Sequence, residues 1–314
     1  MRKRPLGSTG LDVSELSLGT WGLSGEGYGP VPESEQDAVI ERALALGVTL
    51  FETSDSYAHG GMESRLGRLL PKTDDVVVAT KIGTFFEPKL SRKRFDAAFL
   101  KEAATKSRDR LGRERIDVVL LHNPSTQALT KGEATAAAAE LVSAGIARTW
   151  GVSAGNADIA AEAVNAGAPV IELAYNVFHI RDLTRITRDV EEKKIGILAR
   201  SVLAYGLLAG AWPSSKEFAS DDHRAERWTT DELRRRVMQL NALRPSVVAP
   251  IASLRAVALR YALSNSLVSS VVMGPRKSVQ LDQLVRDAGK EKRYFADGGR
   301  ESLEARVRSI GAKP

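Results

Sequence analysis

Three apolar, largely β-branched runs in this chain end in groups that can move protons. Val48-Thr49-Leu50-Phe51 passes into Glu52-Thr53-Ser54-Asp55-Ser56-Tyr57, Val76-Val77-Val78-Ala79-Thr80 ends in Lys81, and Val118-Val119-Leu120-Leu121 ends in His122. Such runs read as buried strands. A strand with titratable side chains at its carboxyl end is how a parallel α/β protein presents chemistry at one edge of its sheet. Taken singly, Tyr57 reads as a half-buried tyrosine bonded at its tip, Lys81 as an exposed residue past a strand, and His122 as a satisfied core histidine. Glu52 is harder to set aside, because a carboxylate closing an apolar strand needs a partner. As ends of consecutive strands, Glu52, Tyr57, Lys81 and His122 can converge on one spot.

The chemistry of that spot is proton donation to a developing alkoxide. A free phenol with a pKa of ~10 is a weak acid at neutral pH, and an adjacent ammonium favours its phenolate and lowers it. Lys81 would supply that charge, Glu52 would pair with Lys81, and a neutral His122 would hydrogen-bond a carbonyl oxygen. None of these groups reduces anything, so a separate hydride donor is implied.

The elements that must hold these groups repeat along the chain. A hairpin turning at Ser8-Thr9-Gly10 opens it, and Leu16 to Gly22 is a strand running into a glycine-rich loop that lasts to Pro32. Helices are expected at Glu33–Leu46 and Glu63–Leu70, then over a long stretch capped by Ser91 and ending before Gly112. Further helices follow at Thr130–Ala144, Ala157–Ala166 and Leu183–Lys194. Strands alternate with them, the later ones at Thr149–Val152, Val170–Ala174, Ile195–Ala199 and Ser269–Met273. The seventh connection is irregular: an arginine-rich excursion from Ala211 to Pro245 holds a helix at Asp231–Leu243, and a second helix, Ile251–Leu263, precedes the last strand. Helices at Ser278–Ala288 and Glu301–Ser309 finish the chain. Eight apolar strands alternating with helices predict a (β/α)8 TIM barrel, with an amino-terminal hairpin and extra carboxyl-terminal helices, as one domain over residues 1–314.

Composition narrows the class. The 314 residues include no cysteine, which excludes disulfides, thiolate metal sites and cysteine nucleophiles and suits a cytoplasmic protein. No apolar run spans a bilayer, so no membrane partner is expected. The net charge of +6 arises from 45 basic residues offset by 39 acidic ones scattered among them, with no nucleic-acid motif. The four histidines lack metal-ligand spacing, so no metal is expected. Gly25-Glu26-Gly27-Tyr28-Gly29 lacks the spacing and context of a dinucleotide fingerprint. Gly274-Pro275-Arg276-Lys277-Ser278 follows the last strand and opens a helix, a place where backbone donors, helix dipole and two cations suit a phosphate. No pattern speaks to an oligomeric state.

Over nearly its whole length the sequence resembles the aldo-keto reductases. The matching pieces are Gly19-Thr20-Trp21, Phe51 to Tyr57 with Gly61 and Glu63, Ala79-Thr80-Lys81, Leu121-His122-Asn123-Pro124, Gly151-Val152-Ser153 and Tyr175-Asn176. Further on they are Leu203-Ala204-Tyr205-Gly206-Leu207-Leu208-Ala209-Gly210 and Val272-Met273-Gly274-Pro275-Arg276 with Gln280-Leu281. The resemblance implies NADPH/NADP+ as cofactor and reduction of a small-molecule carbonyl through an acid–lysine–tyrosine–histidine tetrad, with Tyr57 as general acid, Lys81 as its tuner and His122 orienting the carbonyl. It further implies cofactor contacts from Gly19, Thr20, Trp21, Ser153, Glu172, Arg200, Ser201, Leu203, Gly206, Leu208, Gly274, Arg276, Lys277 and Gln280.

Several positions depart from the family pattern. The tetrad acid is Glu52 where aspartate is usual. The nicotinamide-holding asparagine and glutamine are Ala154 and Glu172, the stacking aromatic is Arg200, and an asparagine near the adenine is Leu284. A nicotinamide-nucleotide-binding regulatory module is therefore the alternative to an enzyme. The loops expected to choose the substrate, Gly22–Pro32, Thr84–Lys89 and Ala211–Pro245, carry no recognisable code.

Overall fold

The computed structural model describes residues 1–87, 90–289 and 294–311. The chain opens with a small antiparallel hairpin, β1 (Lys3–Pro5) and β2 (Asp12–Ser14), and then alternates strands with helices. In order come β3 (Leu16–Gly19), α1 (Glu33–Ala45), β4 (Leu50–Ser54), α2 (Gly61–Leu69) and β5 (Val77–Ile82). A second hairpin, β6 (Thr84–Glu87) and β7 (Leu90–Lys93), precedes α3 (Ala97–Leu111) and β8 (Ile116–His122). Next are α4 (Thr126–Thr130), α5 (Glu133–Ser143), β9 (Ala147–Ser153), α6 (Ala157–Asn165), β10 (Val170–Ala174), α7 (Arg181–Lys193) and β11 (Gly196–Arg200). The irregular connection holds α8 (Thr230–Ala242) and α9 (Leu254–Leu263), and β12 (Val268–Met273), α10 (Ser278–Ala288) and α11 (Gly299–Ser309) follow.

Eight parallel strands, β3, β4, β5, β8, β9, β10, β11 and β12, close on one another as a barrel, as the alternating pattern requires. Two hydrophobic cores result. The larger lies between strands and helices and takes the outward residues Phe51, Val78, Val119 and Ile197. The smaller fills the barrel with the inward residues Leu50, Val77, Ala79, Val118, Leu120, Val170 and Leu198. The amino-terminal hairpin plugs the lower end of this inner core with Leu6, Leu11 and Val13. Gly7 lets the hairpin turn press against the start of β11, since a Cβ there would lie 2.3 Å from the Gly196 amide nitrogen.

Three local readings are corrected by the structure. The stretch expected as a loop at 84–89 is largely strand β6, with residues 88 and 89 outside the described residues. Its Thr-Phe-Phe-Glu sequence pairs with β7, which holds position 91, so the long helix starts later than a Ser91 cap implies. Asp96 caps that helix instead, its carboxylate accepting from the Phe99 amide at 3.0 Å. The helix expected at 130–144 starts later, at Glu133, because Gly132 adopts a left-handed φ of 79°, and Thr130 instead ends the short α4 before it.

Candidate active site

Side chains two residues apart on a strand share a face, so the inner core dictates what lies above it. Leu50 is followed on the inward face by Glu52 and Ser54, Ala79 by Lys81, Leu120 by His122, Val170 by Glu172, and Leu198 by Arg200. The carboxyl mouth of the barrel is thus a ring of polar groups on an apolar floor. Strain marks the same edge. Outside glycine, six of the seven left-handed residues among those described lie there, Ala58 and His59 after β4, Asn123 after β8, and Ser201, Ala204 and Tyr205 after β11, while the seventh, Lys194, ends α7 at the opposite edge. Such conformations cost about 1–2 kcal/mol each and persist where the surrounding structure fixes them.

Lys81 is the centre of the ring. It is buried and ion-paired with Glu52, and its Nζ lies 3.8 Å from Oε2 of Glu172, two carboxylates that are themselves buried. The extra methylene of Glu52 is accommodated against Gly19 of the adjacent strand. A Cβ at Gly19 would lie 2.9 Å from Glu52 Oε2 and 2.7 Å from Val272 Cγ1, so no larger residue fits beside this carboxylate without movement. Burial favours the neutral amine of Lys81, and Arg200 and Lys93 push the same way. The Glu172 carboxylate opposes them, and the net result is an amine lowered to about 8.

The phenol departs from the expected electrostatics. Lys81 Nζ stands 4.8 Å from the centroid of the Tyr57 ring, in cation–π contact with its face. Burial and the Glu172 carboxylate push the phenol well above its ordinary value, while Arg200 pulls it back. Tyr57 is therefore not lowered toward neutrality; it stays protonated. Its ring meets His122 edge-on, with centroids 6.2 Å apart. Burial, Lys81, Lys93 and Arg200 together drive His122 well below the usual imidazole value, so the ring is neutral. Its Nδ1 is 3.1 Å from the Ser54 hydroxyl, which also reaches the Lys81 carbonyl at 3.0 Å and the Ser56 hydroxyl at 2.9 Å. The direction of the single Ser54 proton sets the His122 tautomer: given to Nδ1, it leaves Nε2–H free to donate.

Ser54 was not singled out in the sequence, although its place two residues beyond Glu52 puts it on the same face. Lys93 and Thr84, joined by a 2.8 Å hydrogen bond, come from the unexpected hairpin and had no local signal. Asp55 is pushed up to about 7 by burial and by Glu63.

The positions expected to hold a cofactor fall into separate groups. At one side, Ser153 ends β9, Glu172 presents a buried Oε2 with no hydrogen-bond partner, and Arg200 donates to the Ala154 carbonyl at 2.8 Å. After β11, Ser201 is left-handed, Leu203 accepts from the amides of Gly206 and Leu208, and the Leu208 side chain is buried in the core. Thr20 is buried with its hydroxyl 2.9 Å from that of Thr53. Trp21 packs edge-on against Tyr28 and His223. With Tyr205, and with Arg224 stacked 4.7 Å from the Tyr28 ring centroid, these rings join the 22–32 loop to the excursion after β11. Beyond β12, Gly274 is exposed, Arg276 donates to the Gly29 and Pro30 carbonyls at 2.8 and 3.0 Å, Lys277 precedes α10, and Gln280 accepts from the Arg276 amide at 2.8 Å.

Glu172 Oε2, ion-paired with Lys81 at 3.8 Å but accepting no hydrogen bond, can accept one from a carboxamide N–H. The cations and helix start beyond β12 suit an anion. The donor and acceptor set therefore fits a nicotinamide dinucleotide.

Fold and site together define an α/β-barrel protein with a phenol, an ammonium, an imidazole and two carboxylates clustered at its carboxyl mouth. The model of the Aldo/keto reductase family matches residues 15–291, and the chain belongs to that family. It is 28% identical over 296 residues to the uncharacterized oxidoreductase YqkF of Bacillus subtilis, covering 93% of this chain and 92% of that protein. It is 30% identical over 305 residues to a probable voltage-gated potassium channel subunit beta of Oryza sativa, covering 90% and 89% of the two chains. Among solved structures, the glycerol dehydrogenase AKR11B4 of Gluconobacter oxydans superposes with a TM-score of 0.86 at 22% identity, over 99% of this chain and 97% of that one.

Proposed function

We propose that this chain is an NADPH-dependent oxidoreductase that reduces an aldehyde or ketone to an alcohol, with Tyr57 as the general acid. The observation that carries this reading is the meeting of a protonated phenol, a buried ammonium paired with Glu52, and a neutral imidazole at one point of the barrel mouth. Bound reduced nicotinamide supplies the hydride that no side chain here can. Tyr57, kept protonated by burial, gives its proton to the carbonyl oxygen as negative charge develops there, and Arg200 stabilises the phenolate left behind while Lys81 lies over the ring face. His122 orients the carbonyl from the nitrogen not engaged by Ser54. Ser153, Glu172 and Arg200 hold the nicotinamide end, and the turn after β11 with Gly274, Arg276, Lys277 and Gln280 holds the rest. The absence of cysteine suits a cytoplasmic setting.

Tyr57→Phe tests the assignment. Carbonyl reduction, followed by nicotinamide absorbance, should fall ~100- to 10,000-fold while dinucleotide affinity stays within about twofold. Undiminished turnover would place the acid elsewhere. Preference for NADPH over NADH, eroded in Arg276→Ala, tests the cofactor choice.

A regulatory nucleotide-binding module is the second reading. Glu172 and Arg200 beside Lys81, together with the identity to a channel subunit, favour it. Tight NADPH binding without turnover over a broad carbonyl panel would select it.

A further inference from the structure

The start of α10 is already occupied by an anion of the chain's own. Glu35, in the first turn of α1, accepts through Oε1 from the Ser278 amide at 2.8 Å and from the Ser278 hydroxyl at 3.2 Å. The other groups of this turn are engaged as well. The Arg276 amide donates to Gln280, and the Arg276 guanidinium spans to the Gly29 and Pro30 carbonyls, leaving its buried Nε without a partner. Arg42 and Asp282, 2.7 Å apart, fasten the same two helices further along both. Of the donors that suit a phosphate, those of Arg276 and Ser278 are therefore held by a carboxylate, an amide oxygen and two carbonyls, and the exposed Lys277 is the cation beside them.

We infer that Glu35 is an internal stand-in for the cofactor's 2′-phosphate and sets how strongly the chain discriminates NADPH from NADH. The inference rests on the dinucleotide reading above. A 2′-phosphate reaching Ser278 must displace the Glu35 carboxylate and then lie beside it, two like charges competing for the same helix start. A free 2′-hydroxyl carries no such charge and can donate to the carboxylate. Glu35 thus acts against the phosphate that Arg276 and Lys277 attract. The preference for NADPH is the difference between these opposing charges.

The test compares the full chain with Glu35→Gln, which keeps an oxygen for Ser278 and removes the charge. Calorimetric titration with NADPH, NADH, adenosine 2′,5′-bisphosphate and adenosine 5′-diphosphate reads binding without turnover. NADPH and the 2′,5′-bisphosphate should bind roughly tenfold tighter to Glu35→Gln, while NADH and the diphosphate change by less than about twofold. An unchanged NADPH-to-NADH ratio, or equal tightening of all four ligands, overturns the role of Glu35 and leaves the dinucleotide reading standing. Failure of both proteins to bind any of the four overturns both. Glu35→Ala, checked by thermal melting, serves as a second variant whose ratio must shift the same way.

Discussion

Lys81 has two carboxylates and Tyr57 has neither, which makes the coupling among the three charged groups measurable. Gross attraction between unit charges 3.8 Å apart is about 4 kcal/mol at an effective dielectric of 20, so Glu172 is a real second partner for Lys81. Much of this is offset by desolvation, since Glu52, Glu172 and Lys81 are all nearly inaccessible to solvent. In Glu52→Gln the ammonium keeps Glu172, and in Glu172→Gln it keeps Glu52. Each single variant should therefore cost only about 1–2 kcal/mol, less than the 3–5 kcal/mol typical of stranding a buried charge. The double variant strands it, with Arg200 adding repulsion. Its cost should exceed the sum of the singles by about 1–3 kcal/mol. Urea denaturation of the four proteins at neutral pH, at constant m-value, gives the cycle. Coupling below about 0.5 kcal/mol, or a double variant no worse than Glu52→Gln, would mean that Glu172 does not share the ammonium.

Three further outcomes follow. Because burial and neighbouring cations hold His122 well below 6.5, its ring resonances should not titrate between pH 8 and 6 in NMR; a midpoint near 6.5 would refute its neutral, enclosed setting. Asp55, raised to about 7 in the folded chain from ~3.9 when unfolded, takes up a proton on folding between those values, so stability is lost as pH rises toward 7. The melting-temperature gain of Asp55→Asn over the wild type should accordingly grow from pH 4 to 7 and then level; a gain independent of pH would refute the shift. Gly19→Ala should destabilise by about 1–3 kcal/mol through contact with Glu52 Oε2 and Val272, measured by denaturation, and a neutral result would mean that β3 and β4 separate more easily than their packing implies.

The barrel and most of the site were legible because both obey short-range rules. Near-continuous apolar runs give the strands, whose carboxyl ends carry Glu52, Lys81 and His122, while Glu172 and Arg200 enter through the family resemblance and prove to belong to the same inward layer. What escaped is what depends on distant pairing. Thr84 to Lys93 reads locally as loop and helix start, and only the hairpin partner shows it to be strand. The Glu35–Ser278 contact joins residues 243 positions apart and leaves no trace in either neighbourhood.

The charge on Tyr57 has the same origin. Sequence alone sets only Lys81 beside the phenol, which predicts a lowered pKa. In the folded chain Glu172 comes from β10, well separated in sequence, and with burial it reverses the sign. The departures at 52, 154, 172 and 200 are therefore one arrangement. Glu172 adds a negative charge where an amide is usual, Arg200 adds a positive one where an aromatic is usual, and the Ala154 carbonyl accepts from Arg200. With Glu52 and Lys81 they make two carboxylates and two cations in one buried ring, formally neutral. A neutral ring can be buried where either added charge alone would be costly, so the substitutions at 172 and 200 have to be read together.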